Sequence, residues 1–112
     1  MKGCHYLGLA ALLVMSELAI AQSDLSPAIF ERVEGWKACV DVAAKRYAAS
    51  NEPAENVARI AILSCRPDLG RIGEQMRAES VNLTFQTSFV DRLEKGTLEK
   101  TAVQVMEMRL RR

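Results

Sequence analysis

The chain reads as a small all-α domain of four helical segments built on an αα-hairpin, with one interhelical disulfide and a cleaved signal peptide in front. Three observations predict it. Apolar residues recur at helical spacing. Acid-to-base pairs four residues apart recur as Asp41–Lys45, Glu55–Arg59, Asp91–Lys95 and Glu107–Arg111, each with the acid on the N-terminal side, the better order on a helix. Two cysteines, Cys39 and Cys65, fall at matching heights on the first two segments. A length of 112 residues allows one domain.

Residues 1–21 are an address rather than a fold. Lys2 supplies a minimal basic start, and Tyr6 to Met15 is nearly all apolar and uncharged. Ala19 and Ala21 then present the small-x-small pattern a signal peptidase reads, so cleavage is expected after Ala21. The uncharged run is roughly half the ~20 residues a spanning helix needs, and Glu17 interrupts it. The expected product is a single helical domain, residues 22–112, periplasmic or secreted from a bacterium. It lacks Cys4 and also His5, the sole histidine. Lys2 and Glu17 leave together, so the net charge of +1 is unchanged.

The first helical segment should start at Ser26-Pro27, where serine caps and proline suits the first helical position. Leu25 and Phe30 are placed for a hydrophobic staple. Ile29, Val33, Trp36, Val40, Ala43 and Tyr47 form one apolar stripe at spacings of four and three, slightly weakened by Gly35. Trp36 and Tyr47 are therefore core residues. The cluster Ser50-Asn51-Glu52-Pro53 breaks the segment.

The second segment runs from about Pro53 to Cys65, with Val57, Ala58, Ala61, Ile62 and Cys65 as its inner face and Pro67 as its stop. Glu52 and Glu55 complement its N-terminal dipole. A third segment, capped by Asp68, is expected from Leu69 to Lys95, ended by Gly96 in a C-cap role. Thr97 would then cap a fourth carrying Leu98, Ala102, Val105 and Met106. Val81 to Phe85 and Met106 to Leu110 also alternate with period two, and a short hairpin pairing them is the alternative to helix. The spacing of Phe85, Phe89 and Leu93 favours helix.

The cysteine pair is the strongest physical signal. If the first two segments are antiparallel across the turn at Asn51, Cys39 and Cys65 each lie roughly 17 Å from it, on agreeing faces. Closing a loop of about 26 residues stabilises by ~3 kcal/mol in chain-entropy arithmetic. Disulfide oxidoreductases instead space their cysteines two residues apart at a helix start, so this pair reads as structural.

Little catalytic chemistry is left after the leader is removed. Nucleophilic triads and the usual zinc sites need histidine or more cysteines, and no metal or cofactor is expected. The pairs Glu31/Glu34 and Glu52/Glu55 sit where solvated acids are ordinary. Met106 and Met108, two apart, point away from each other on a helix and cannot share an ion. Gly70-Arg71-Ile72-Gly73 lacks the Lys-Ser/Thr end of a phosphate loop. Near-zero net charge argues against nucleic acid. Arg66, Arg71 and Arg77, with Arg109, Arg111 and Arg112 at the end, are the candidate contacts to an anionic envelope surface.

The strings Trp36-Lys37-Ala38-Cys39, Asn51-Glu52-Pro53-Ala54 and Ser64-Cys65-Arg66-Pro67 resemble those of small exported bacterial proteins. At the level of class the chain is similar to the acid-stress chaperones of the periplasm, which are helical and carry one disulfide. Its cysteine separation is shorter than theirs. That resemblance implies an apolar stripe exposed when acid protonates the carboxylates. The expected function is non-enzymatic: protein–protein contact as oligomer, adaptor or inhibitor, with an unknown protein partner or self-association. The alternatives are an envelope lipid or cell-wall binder and an acid-stress chaperone.

Overall fold

The computed structural model describes residues 25–111, so the leader, its cleavage site and Arg112 lie outside the described residues. Four helices follow one another: α1 (Pro27–Tyr47), α2 (Ala54–Ser64), α3 (Arg66–Ala78) and α4 (Leu83–Leu110). The described residues contain no strand. Of the two stretches that alternate with period two, Leu83–Phe85 and Met106–Leu110 are helical within α4, while Val81 and Asn82 form the turn before it.

Three long-range links set the topology. The Ser26 hydroxyl donates to the Glu79 carboxylate at 2.8 Å, tying the start of α1 to the end of α3. The Cys39–Cys65 disulfide, with Cα atoms 5.9 Å apart, ties the middle of α1 to the junction of α2 and α3. The Arg109 guanidinium, near the end of α4, donates to carbonyls of the α1–α2 turn. Together α2 and α3 thus form one broken rod antiparallel to α1, and α4 returns parallel to α1, packed mainly on α2. The four helices make a three-rod bundle.

Local chemistry explains each boundary. Ser26 accepts from the Ile29 amide at 3.1 Å, with Pro27 in the first turn. Phe30 is 57% exposed, so the expected Leu25–Phe30 staple contributes little and Ser26 carries the cap. The break between α2 and α3 falls at Cys65 (φ −103, ψ 17), but the chain resumes its helix at once. Pro67 has no N–H for the Leu63 carbonyl, which ends α2. The same proline then fits the first turn of α3, where that donor would be unused. Asp68 does not cap; it lies inside the turn and pairs with Arg71 at 2.6 Å.

The larger correction concerns the third and fourth segments. The expected helix from Leu69 to Lys95 is two helices, and the expected boundary at Gly96 does not exist. α3 ends because Ser80 takes a left-handed conformation (φ 57). The Ser80 amide donates to the Arg77 carbonyl at 3.0 Å and the Val81 amide to the Met76 carbonyl at 3.0 Å. This is a Schellman closure with serine where glycine is usual. Asn82 then caps α4, accepting from the Thr84 amide at 2.8 Å and the Phe85 amide at 3.3 Å.

Gly96 sits within α4 without positive φ, and a Cβ built there meets nothing within 4 Å. Gly96→Ala is therefore expected to raise stability by about 0.5–1 kcal/mol, read by urea denaturation. A loss of similar size would restore the C-cap role.

The core is the stripe foreseen on α1. Ile29, Val33, Trp36, Val40 and Ala43 are buried, and Tyr47 is half-buried. Against them pack Val57, Ala61 and Ile62 of α2, Ile72 and Met76 of α3, and Val105 of α4. Met106 points outward at 56% exposure while Met108 packs inward, as their two-residue spacing requires. Of the four acid-to-base pairs, Asp41–Lys45, Glu55–Arg59 and Asp91–Lys95 close within 4 Å. All three are exposed and contribute only tenths of a kcal/mol each.

Candidate functional site

A continuous open groove runs along the outer face of α1. Its α1 wall is the line Ala28, Arg32, Gly35, Cys39, Val42 and Arg46, at spacings of four and three. Because α2–α3 runs antiparallel to α1, the opposite wall reads Gln75, Arg71 and Asp68 of α3, then Cys65 and Ser64 of α2. The α3 half encloses about 500 Å³ and is polar, with Glu31 at its rim and Trp36 among its lining residues. The α2 half encloses about 460 Å³ and is mainly apolar, lined by Ala38, Val42 and Ala43 beside the disulfide. Gly35 belongs to both halves.

The groove is open where Ala28 and Gly35 on this line, and Ala38 beside it, are small. Ala28, Gly35 and Ala38 cannot fill the space between two rods, and at Gly35 a Cβ would touch nothing within 4 Å. The rods are held in place from beneath. Cys65 is 1% exposed and Trp36 fully buried, so the staple and the largest core side chain fix the walls. The indole N–H of Trp36 is buried without an acceptor among the described residues. Such a donor carries the desolvation cost of a lost hydrogen bond.

Of the six candidate arginines, the five among the described residues do not form one patch. Arg66 and Arg77 are exposed at opposite ends of α3. Arg71 lines the groove, paired with Asp68. Arg109 donates to the carbonyls of Ala48 at 3.2 Å, Ser50 at 2.9 Å and Glu52 at 2.6 Å. Arg111 is exposed at the end of α4. The Arg109 clamp ties the end of α4 to the α1–α2 turn. Arg109→Ala is expected to cost about 1–3 kcal/mol in thermal melts. Arg109→Lys recovers only part, because an ammonium lacks the planar fork that reaches several carbonyls. An unchanged melt for the alanine variant would remove the clamp.

Glu79, at the end of α3, is the one described carboxyl whose pKa departs clearly from its ordinary value, and it lies lower. The Ser26 hydroxyl and then the Gln75 amide, at 2.8 Å each, donate to its charged form; slight burial opposes them. A folded pKa below the unfolded one adds stability that is complete above the usual glutamate range. It is lost only as pH falls through the lowered value. The clasp between α1 and α3 therefore holds in mild acid.

Among the described residues no three His, Cys, Asp or Glu side chains converge on a common point that could hold a metal ion. No described helix is long and apolar enough to cross a membrane. Trp36 is too deep to join Phe85 and Phe89, which stack with centroids 5.9 Å apart at the start of α4. The groove was not foreseen; its only trace is the run of small residues Ala28, Gly35 and Ala38 opposite the apolar stripe. Comparison with known protein families, curated proteins and solved structures gives no match in any of the three.

Proposed function

We propose that this chain is an exported, non-enzymatic helical module that acts by protein–protein contact, with the groove on α1 as its docking surface. The observation that carries the reading is the groove itself: two connected hollows with small residues on one wall, an apolar half and a charged half. Helices pack where small residues let backbones approach and where ridges find grooves. An apolar centre with a polar rim is also the ordinary anatomy of an interface. The staple supports export, since such bridges persist in oxidising compartments. With its rods tied together, the groove is preformed, which lowers the ordering cost of binding.

Ala38 is exposed and lies outside the buried core, so Ala38→Glu leaves the core intact while placing a charge at the edge of the apolar half, where Ala38 also borders the hollow between α1 and α4. Immobilised wild-type protein is expected to retain a partner from envelope extract in fixed stoichiometry. The Ala38→Glu variant, with unchanged circular dichroism, should retain it at least tenfold less. Equal retention by the two proteins would exclude the groove.

A further inference from the structure

We propose that the Cys39–Cys65 bond is a reversible latch on the junction of α2 and α3, opened when a small thiol attacks Cys39 rather than Cys65. Both cysteines line a hollow of about 460 Å³ that is open to solvent, but they are not equally reachable. Cys65 is 1% exposed and belongs to the core, whereas Cys39 is only half-buried and packs against the core from outside. Thiol–disulfide exchange is an attack on one of the two sulfurs, and access decides which. The residues that share the hollow with Cys39 leave room for the attacker, since Gly35, Ala38 and Ser64 are small. The attacker is an anion, and the only charged residue lining this hollow among the described residues is a cation, Arg46.

A thiol is the only co-reactant the exchange needs. A thiolate RS⁻ bonds to Sγ of Cys39 as the Cys39–Cys65 bond breaks. The electron pair of that bond leaves on Sγ of Cys65, which takes up a proton. A second RS⁻ then attacks the R sulfur of the mixed disulfide, releasing the Cys39 thiolate and RSSR. The protein gains two electrons and the pair of thiols loses two. Burial disfavours the Cys65 thiolate, so the released Cys65 rests as the neutral thiol.

The position of the bond makes its loss local. Cys65 closes α2 by donating its amide to the Ile62 carbonyl at 3.2 Å, and its carbonyl opens α3 by accepting from the Asp68 and Leu69 amides at 3.1 and 3.2 Å. Those bonds stay within the broken rod; the disulfide is what joins the junction covalently to α1. Other links hold the two ends of the rods: Ser26 with Glu79 at one, and Arg109 with the α1–α2 turn at the other. Ile62, Ile72 and Met76 keep their apolar contacts with the core. Reduction therefore frees the middle of the rod while its ends stay clasped, and Cys65 remains close enough to close the bond again. Ser64 and Cys65 are the α2 wall of the groove, so the state of the bond sets that wall; the latch itself rests on the placement of the two cysteines, whatever docks in the groove.

Trapping the mixed disulfide tests this. The oxidised protein, as recovered from its cell, is treated with reduced glutathione, quenched with excess N-ethylmaleimide and mapped by peptide mass spectrometry. Glutathione should be found on Cys39 in about tenfold excess over Cys65, with the maleimide on Cys65. The fully reduced protein should keep its far-ultraviolet circular dichroism. Its amide exchange should rise in residues 62–69 while Ile72 and Met76 stay protected, and oxidised glutathione should restore the original pattern. The Cys39→Ala, Cys65→Ala double variant should show the raised exchange with no thiol added. Glutathione shared evenly or mainly on Cys65 would overturn the proposal, as would a native bond that resists glutathione while the same bond in urea-unfolded protein is reduced. A reduced protein that loses its helices, or one whose junction exchanges no faster than before, would overturn it equally.

Discussion

Trp36→Ala is expected to remove about 3–5 kcal/mol from a domain whose whole stability is on the order of 5–10 kcal/mol. Trp36 is fully buried, and it sits between Val33 and Val40 on the one stripe that meets every other rod. Truncation there opens a cavity that three rods must share, and rods pinned at Cys39, Ser26 and the α1–α2 turn cannot collapse into it. Trp36→Phe is the control. It keeps most of the ring and deletes a buried N–H that has no acceptor among the described residues, so the loss of area is partly offset by the removal of that donor. Its cost should be less than half that of the alanine. Urea titration followed by far-ultraviolet circular dichroism reads both. A Trp36→Ala protein within about 1 kcal/mol of wild type would be incompatible with burial at this depth.

Removing the staple is expected to have the second largest effect. Cys39→Ala with Cys65→Ala should cost ~3 kcal/mol, the chain-entropy value for a loop of about 26 residues. The position of the bridge adds a local signature. Cys65 is at once the end of α2 and the start of α3, and Pro67 prevents the two from fusing into one straight rod. Without the bond to α1, amide exchange should rise most at the junction, in residues 62–69, and less at Val33 to Val40. Uniform exchange across the domain would mean that the bond acts on the unfolded chain alone.

What was legible in the sequence was whatever local chemistry decides. The Ser26 cap, the stripe from Ile29 to Ala43, the inner face of α2 and the pairing of Cys39 with Cys65 each follow from spacing or from one side chain beside a backbone. The α3–α4 boundary was not legible, because the turn uses Ser80 in a conformation usually given to glycine. Gly96 stood nearby as a false stop. A cap signal was present in Asn82, but period-two alternation from Val81 to Phe85 hid it.

Tertiary contacts hid the remainder. Arg109 was grouped with basic residues at the chain end, yet its guanidinium is taken up by three backbone carbonyls more than fifty positions away. Nothing in its neighbours shows this, since a turn far back in the chain provides the acceptors. The groove was hidden for a related reason. Gly35 and Ala38 read as slack in a helix until α2 and α3 are known to lie alongside them. Small residues mark a docking surface only when a second wall faces them.

A photoreactive side chain placed at Val42, on the groove wall, reports what touches it in the cell that makes the protein. Thr84, exposed at the start of α4, serves as the matched control. Irradiation should give a discrete protein adduct, a second copy or another envelope protein, from position 42 and none from position 84. No adduct at position 42, or the same adducts at both positions, would contradict a docking role for this groove.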